Sequence, residues 1–197
     1  MRRLPERVLG VADAIAVDQP LAISRKLRRR SEGALIRGAQ AGSECDFEEL
    51  FRRHWRRAYR VAYLIVHDHA AAEDIAQESF VAAIRTLDRF DRRRPFTPWL
   101  SRIVTNRAID WARSRAARRE VDQELPEPAA VGSESEGYSD EVVQALALLS
   151  PEHRAVVVLR YVLEYTPGEI ARVLELPRGT INSRLRRALD ALEKGLR

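Results

Sequence analysis

The sequence predicts an all-α protein built from two small helical domains. Three observations support this prediction: 45% hydrophobic residues with only 9 Gly and 9 Pro, apolar residues at helical spacing in two blocks, and an acidic stretch between them. A chain of 197 residues is long enough for two such domains. We therefore place the first domain at residues 32–117, a linker at 118–138 and the second domain at 139–197.

Two segments fall outside the helical blocks. Residues 118–140 contain two basic and seven acidic side chains, a net charge of −5, and Pro and Gly residues lie among them. This composition is typical of a flexible linker. Residues 1–31 carry a cluster of arginines but only weak periodicity, and we interpret them as a mobile basic extension, unless the start codon is wrongly assigned.

The first block predicts three helices. The first has apolar residues at helical spacing from Phe47 to Ile65, the second begins near Ala70, and the third is announced by Thr97-Pro98, a cap residue followed by proline. The short segment Arg89–Phe96 before the third helix contains three consecutive arginines and is predicted to be a loop.

The second block contains two well-marked helix starts. Ser150-Pro151 and Thr166-Pro167 each combine a capping residue with proline, and Glu169 is placed for a capping box. A further helix start at Pro177 follows only about eleven residues later, which is the spacing of a helix-turn-helix.

The last helix has an apolar stripe and a polar outer side. At 100° per residue the inward stripe consists of Ile181, Leu185, Ala188, Leu189 and Leu192. The opposite side carries Gly179, Ser183, Arg186 and Arg187, with Asn182 on its flank. A charged face on a lone helix more often serves solvation, but the preceding capped helix and tight turn favour DNA binding. Arginine to guanine and asparagine to adenine are the base pairings expected of such a helix.

Composition excludes several other classes of protein. The single Cys45 cannot form an internal disulfide, and no His/Cys cluster has metal-ligand spacing. No apolar run is long enough to span a membrane. Neither paired carboxylates, a nucleophile–base pair nor a Gly-rich phosphate loop is present. We therefore expect a cytoplasmic protein that is not an enzyme and has no metal, cofactor or small-molecule substrate.

Two groups of motifs resemble a known family. Thr166-Pro167-Gly168-Glu169-Ile170-Ala171 and Leu176-Pro177-Arg178-Gly179-Thr180-Ile181 resemble region 4 of bacterial extracytoplasmic-function sigma factors, in the sigma-70 family. Ala72-Glu73-Asp74-Ile75-Ala76-Gln77-Glu78-Ser79-Phe80 and Arg94-Pro95-Phe96-Thr97-Pro98-Trp99-Leu100 are similar to region 2 of that family. The order of the two regions implies the minimal two-domain class of sigma factor.

The resemblance implies three groups of functional residues. The second helix would dock on the clamp helices of the largest RNA polymerase subunit through Asp74, Gln77, Glu78 and Phe80. The loop and third helix would bind and melt the −10 element through Asp91, Arg92, Arg93, Arg94, Trp99, Arg102, Asn106 and Arg113. The last helix would bind the −35 element through Arg178, Gly179, Thr180, Asn182, Ser183, Arg184, Arg186 and Arg187.

Some of these roles have a structural alternative. Phe80 is also a candidate core residue, and Trp99 could instead anchor the loop against the core. The polar residues of the second helix could be an ordinary solvated side. Asn182 stands where the family usually has a basic residue, which leaves the upstream promoter sequence open.

The implied partners are core RNA polymerase, including the flap of its second-largest subunit, and promoter DNA. Sigma factors of this class are commonly held inactive by an anti-sigma factor, often membrane-bound, and the resemblance permits such a partner here. The main alternative is a stand-alone helix-turn-helix regulator whose first block senses a ligand or dimerises. A pure protein-interaction module is disfavoured by the arginines of the last helix.

Overall fold

The computed structural model describes residues 30–122 and 140–195. Within these two ranges all regular structure is helical, as the sequence predicts. Residues 1–29 of the predicted extension and residues 123–138 of the predicted linker lie outside the described residues. No helix in the described part of the chain is both long and apolar enough to cross a membrane.

The N-terminal body, residues 30–122, contains four α-helices, one more than the three predicted, because the first was not predicted. They are α1 (Glu32–Gln40), α2 (Glu44–Val66), α3 (His69–Thr86) and α4 (Phe96–Asp122), with a short 3-10 turn at Leu87–Arg89. The helices α2, α3 and α4 pack against one another around a core of fully buried apolar side chains. This packing fixes the outward sides of α3 and α4, which carry the predicted polymerase and DNA contacts.

Side-chain caps explain where three of these helices begin. The oxygens of Ser31, Ser43 and Asp68 each accept a hydrogen bond from the backbone N–H three residues later. The fourth, α4, begins at Phe96, one residue before the predicted Thr97 cap. It continues to Asp122, so that the first five residues of the predicted linker are helical.

The C-terminal body, residues 140–195, also consists of helices. They are α5 (Asp140–Ala147), α6 (Pro151–Val157), α7 (Pro167–Leu174) and α8 (Arg178–Gly195), with a π-helical turn at Val158–Val162 after α6. The two predicted Ser/Thr-Pro starts are confirmed, because the Ser150 and Thr166 hydroxyls cap α6 and α7.

A buried arginine joins the two bodies. The Arg154 side chain on α6 is only 9% exposed and donates hydrogen bonds to carbonyls at two helix ends. Three acceptors, in Leu146, Ala147 and Leu149, lie at the end of α5 or just beyond it, and one, in Ile65, lies in the last turn of α2. Because helix C-termini carry partial negative charge, they stabilise a buried cation without a carboxylate. Burial lowers the pKa of Arg154 to about 10, so the side chain stays charged at neutral pH.

His67, next to this arginine, makes stability depend on pH. It ends α2 in the left-handed conformation at φ 55°, and its ring Nε2 donates to the Leu64 carbonyl at 3.0 Å. Burial, together with the charge of Arg154, lowers the pKa of His67 from 6.5 to about 3. Between pH 6.5 and about 3, His67 is therefore neutral in the folded protein, whereas in the unfolded chain it binds a proton.

We expect stability to fall as the pH drops from 6.5 toward 3. The loss from His67 is about 2 kcal/mol at pH 5, because the unfolded state then holds the extra proton. His67→Asn, which tolerates the left-handed backbone, should flatten the pH dependence of urea unfolding. Burial also lowers the pKa of His54, so the variant should keep part of the dependence of stability on pH. His153→Asn, at a half-buried histidine of α6, is the control, and an equal slope in both variants would contradict the assignment.

Candidate nucleic-acid interface

The helix-turn-helix of the C-terminal body is set by local interactions. The Thr166 hydroxyl accepts from the Glu169 N–H at 3.3 Å, and the Glu169 carboxylate accepts from the Thr166 N–H at 2.8 Å. These bonds lower the pKa of Glu169, whose charge also suits a helix N-terminus. At the other end of α7, Glu175 adopts a left-handed conformation at φ 53°, and its N–H donates to the Ala171 carbonyl. The chain then turns through Pro177 into α8.

Helix α8 buries one side and exposes the other. Ile181, Leu185 and Ala188 are buried, as predicted. Leu189 is 43% exposed, so its predicted place in the inward stripe is wrong. It lies at the edge of the stripe, about 80° around the helix from Ile181 at 100° per residue. Leu192 is half-buried against the core.

The predicted −35 residues all lie on or beside the uncovered side of α8. Three of the eight are half-buried, namely Thr180, Ser183 and Arg184. The other five are exposed: Arg178, Gly179, Asn182, Arg186 and Arg187. A Cβ atom added at Gly179 would meet no other atom within 4 Å, so packing within the protein does not require glycine there. The Ser183 hydroxyl donates to the Thr180 carbonyl at 2.9 Å, which occupies its proton within the helix.

The loop before α4 presents its arginines to solvent. The Arg94 N–H donates to the Asp91 carbonyl at 2.9 Å, and the Asp91 carboxylate accepts from the Arg93 N–H at 3.0 Å. Arg92, Arg93 and Arg94 are all exposed. The turn therefore uses Asp91 to hold its own backbone, a structural task that the sequence did not reveal.

Aromatic side chains anchor both ends of this loop. Phe90 and Phe96 are buried and meet edge-to-face, with ring centroids 5.8 Å apart. Trp99 is half-buried, and its ring centroid lies 4.8 Å from that of Phe90 and 5.4 Å from that of Phe96. Trp99 thus packs under the loop, which is the anchoring role considered in the sequence analysis, while part of its ring remains accessible.

The polar residues predicted on α4 form one outward side. Asn106 is exposed, and Arg102 and Arg113 lie one turn before and two turns after it. Both arginines are paired with glutamates of the C-terminal body. Arg102 contacts Glu175 with two N–O distances of 2.5 and 2.6 Å, and Arg113 contacts Glu152. Sequence reasoning missed these pairs because the partners lie 73 and 39 positions apart.

The predicted docking residues lie on α3. Asp74 and Glu78 are exposed and Gln77 is half-buried, on the side of α3 away from the core. The Glu78 carboxylate accepts from the Arg107 guanidinium at 2.6 Å, so it is paired in this structure. Phe80 is only 2% exposed, and its ring centroid lies 4.5 Å from that of Phe51. A polymerase contact through Phe80 would require the core to open, so the docking prediction depends on the three polar residues.

Two models of known protein families match this chain, one in each of the two bodies. The family model "Sigma-70 region 2" matches residues 50–118, and the model "Sigma-70, region 4" matches residues 139–192. The sigma factor SigW of Bacillus subtilis is 32% identical over 82% of this chain and 95% of its own length. SigM of Mycobacterium tuberculosis is 33% identical over 84% of each chain.

Solved structures give the same result. CnrH in complex with the cytosolic domain of CnrY matches with a TM-score of 0.64 and 30% identity, over 84% of this chain and 96% of that chain. RpoE in complex with the anti-sigma factor NepR from Bartonella quintana matches with a TM-score of 0.65 and 25% identity, over 77% and 96%. Two family models in the same order, relatives of similar length and a shared fold lead to one conclusion: the chain belongs to the extracytoplasmic-function RNA polymerase sigma factors.

Proposed function

We propose that this protein binds core RNA polymerase, directs it to promoters with specific −10 and −35 elements and promotes transcription initiation. The observation that carries the proposal is a pair of polar, arginine-bearing helix sides on two sigma-type bodies: the outer side of α4 and the outer side of α8. The protein is not a catalyst in this role, because the polymerase performs the chemistry. It acts in the cytoplasm, associated with the nucleoid through the polymerase.

The −35 contact is assigned to α8. We propose that this helix enters a major groove, where Arg178, Arg186 and Arg187 bind guanine edges or phosphates and Asn182 binds an adenine edge. The exposure of these four side chains supports this role, as does the presence of Gly179 at a position where packing within the protein does not require glycine.

The −10 contact is assigned to the loop and to α4. Opening a duplex costs a few kcal/mol for each unpaired and unstacked base, which a protein offsets by holding the exposed strand. We propose that Arg92, Arg93 and Arg94 attract phosphates and that Asn106, Arg102 and Arg113 hold the separated strand. Trp99 is half-buried, and we propose that a base stacks on the accessible part of its ring, which contributes about 1–3 kcal/mol per base.

The polymerase contact is assigned to Asp74, Gln77 and Glu78 on α3. We propose that they dock on the clamp helices of the largest subunit, while the C-terminal body contacts the flap of the second-largest subunit. Since CnrH and RpoE were solved in complexes with CnrY and the anti-sigma factor NepR, we also propose that an anti-sigma factor controls this protein.

Runoff transcription with core polymerase on a pool of genomic promoter fragments tests the proposal. The purified chain should associate with core polymerase that lacks any other sigma factor and should give transcripts from a subset of fragments. Tight sequence-specific duplex binding by the free chain, with no effect of core polymerase, would instead favour a stand-alone helix-turn-helix regulator.

Replacement of Arg187 by alanine should weaken binding of the holoenzyme to the −35 element by about 1–3 kcal/mol, because a bidentate base contact is lost. Association with core polymerase should not change. Lys194→Ala, which removes one positive charge from the far end of the same helix, is the control. Equal affinities of the two variants for the −35 element would show that Arg187 does not contribute to binding it.

A further inference from the structure

The arginine loop, residues 91–95, begins directly after Phe90, and a side chain from another helix holds that starting point. This side chain is Gln40, at the end of α1. Its Nε2 donates to the Leu87 carbonyl at 2.9 Å and to the Phe90 carbonyl at 3.0 Å. The two acceptors lie 47 and 50 positions further along the chain, so these bonds join α1 to the 3-10 turn that precedes the loop.

The carbonyl groups that Gln40 contacts lie where a helix ends. Carbonyls of a last helical turn have no partner within the helix and need a donor from elsewhere. Helix α3 ends at Thr86, and in the following turn the Leu87 carbonyl accepts from the Phe90 N–H at 2.9 Å. A side-chain amide has two N–H groups, so Gln40 can serve the Leu87 and Phe90 carbonyls together. Gln40 therefore fixes where the chain leaves α3 and enters the arginine loop.

Helix α1 gives Gln40 a fixed base. Leu35 and Ile36 on this helix are buried in the core. At Gly38 the backbone of α1 lies so close to α2 that an added Cβ atom would clash with the buried Asp46 carboxylate. Because Gln40 follows only two residues later, its amide approaches the 3-10 turn from a position that the packing of α1 on α2 has set.

The ring of Phe90 is held from a second direction. It is buried, and its centroid lies 5.8 Å from that of Phe96 and 4.8 Å from that of Trp99. The residue before the arginine loop thus has a polar anchor at its carbonyl and an apolar anchor at its ring. Within the loop, two hydrogen bonds to Asp91 shape the turn, and the arginines are exposed. The conformation of the loop therefore depends on how Phe90 is fixed.

We propose that Gln40 is a positioning residue for promoter opening. By holding the Leu87 and Phe90 carbonyls, it keeps the arginine loop in the conformation that binds the −10 strand, and it acts through the loop rather than by contact with DNA. This inference rests on the proposed function of the loop. A preformed loop binds more tightly because less conformational freedom is lost when the strand arrives. Without the amide, the loop samples other conformations and holds the strand less well.

Gln40→Met tests this role, because methionine is close to glutamine in size but has no N–H donor. The matched control is Gln144→Met, which makes the same change at an exposed glutamine of α5. Gln40→Lys is the rescue variant, because its ammonium group has three N–H donors for the same carbonyls. Circular dichroism confirms that each variant is folded before the comparisons are made.

Limited proteolysis with trypsin measures the order of the arginine loop without polymerase or DNA. Trypsin cuts after arginine, so the bonds that follow Arg92 and Arg93 report on the loop, and mass spectrometry identifies the fragments. We expect these bonds to be cut about three- to tenfold faster in Gln40→Met than in Gln144→Met, because two hydrogen bonds that resist local opening are lost. Equal cleavage rates would show that Gln40 does not hold the loop.

Permanganate reactivity of unpaired thymines measures promoter opening by the holoenzyme, on a promoter identified by runoff transcription. We expect Gln40→Met to form about three- to tenfold less open complex than Gln144→Met, with the same affinity for core polymerase. Gln40→Lys should restore most of the opening. Equal opening by the two methionine variants would overturn the role of Gln40.

A double-mutant cycle separates positioning of the loop from a general loss of stability. The variant R92A/R93A/R94A removes the side chains that Gln40 is proposed to position. In this background we expect Gln40→Met to lower promoter opening by less than about twofold, because the two changes act on one unit. A loss by the same factor in both backgrounds would show that Gln40 acts elsewhere, and the proposal would be wrong.

The proteolysis and the transcription of the parent chain keep the two proposals distinguishable. A chain whose loop is held by Gln40 but that gives no transcripts with core polymerase would contradict the proposed function and leave the anchoring of the loop intact. A chain that transcribes with core polymerase, but whose Gln40→Met variant opens promoters as the control does, would contradict only the role of Gln40.

Discussion

Substitution of Arg154 by alanine is expected to lower the free energy of unfolding of the C-terminal body by about 3–5 kcal/mol. The reason is that four carbonyl groups would lose their donor at once. Each buried carbonyl left without a hydrogen bond costs about 1–3 kcal/mol, reduced where water enters the space left by the side chain. The acceptors belong to Leu146, Ala147, Leu149 and Ile65.

Urea unfolding followed by two probes checks this prediction. All three tryptophans lie in the N-terminal body, so their fluorescence reports on that body, whereas circular dichroism reports on both. In Arg154→Ala the dichroism transition should begin at lower urea, with a smaller shift in fluorescence from the lost contact to Ile65. Arg154→Lys should recover only part of the stability, because one ammonium group cannot reproduce the planar fork of a guanidinium.

Arg172→Ala is the matched control for Arg154, because Arg172 is an exposed arginine of the same body. An unfolding midpoint of Arg154→Ala equal to that of the control would show that the buried hydrogen bonds are dispensable.

Replacement of Phe96 by alanine should destabilise the N-terminal body by about 3–5 kcal/mol, the usual cost of removing a buried aromatic side chain. Phe96 is only 1% exposed and lies at the start of α4. Its ring centroid lies 5.1 Å from that of His54 and 5.4 Å from that of Trp99. Loss of this ring removes the anchor at the α4 end of the arginine loop.

Tryptophan fluorescence during urea unfolding measures the loss of stability. Runoff transcription, at a temperature where the variant remains folded, measures the effect on promoter opening and should fall because the loop loses its fixed position. Phe96→Leu keeps most of the apolar volume and should retain most of both properties. If Phe96→Ala and Phe96→Leu unfold at the same urea concentration, the packing described for this ring is not what stabilises the loop.

Local signals in the sequence predicted six of the eight α-helices in the described part of the chain, all but α1 and α5. Capping by Ser150 and Thr166 depends on residues three positions apart, and the buried side of α8 at Ile181, Leu185 and Ala188 follows from the helical period. The family assignment is also confirmed. The caps and the buried side of α8 could be predicted because the residues that form them are close together in the sequence.

Other features of the helices escaped sequence reasoning. The exposure of Leu189 depends on how far around α8 the neighbouring helices reach, and the burial of Arg154 depends on the ends of α2 and α5 meeting at one point. No pattern along the chain marks the π-helical turn at Val158–Val162. An arginine in a sequence gives no sign of whether it will face solvent or helix-end carbonyls.

The sequence by itself determined that this chain is a two-part helical sigma factor, because caps, periodicity and family motifs are written in contiguous residues. Only the tertiary structure decided which of the candidate DNA-binding side chains are free. It left Asn106 and three of the four α8 arginines exposed, placed Trp99 under the loop, and paired Arg102 and Arg113 with glutamates of the other body. The physical reason is that an ion pair depends on distance in space, and here that distance is set by how the two helical bodies pack together.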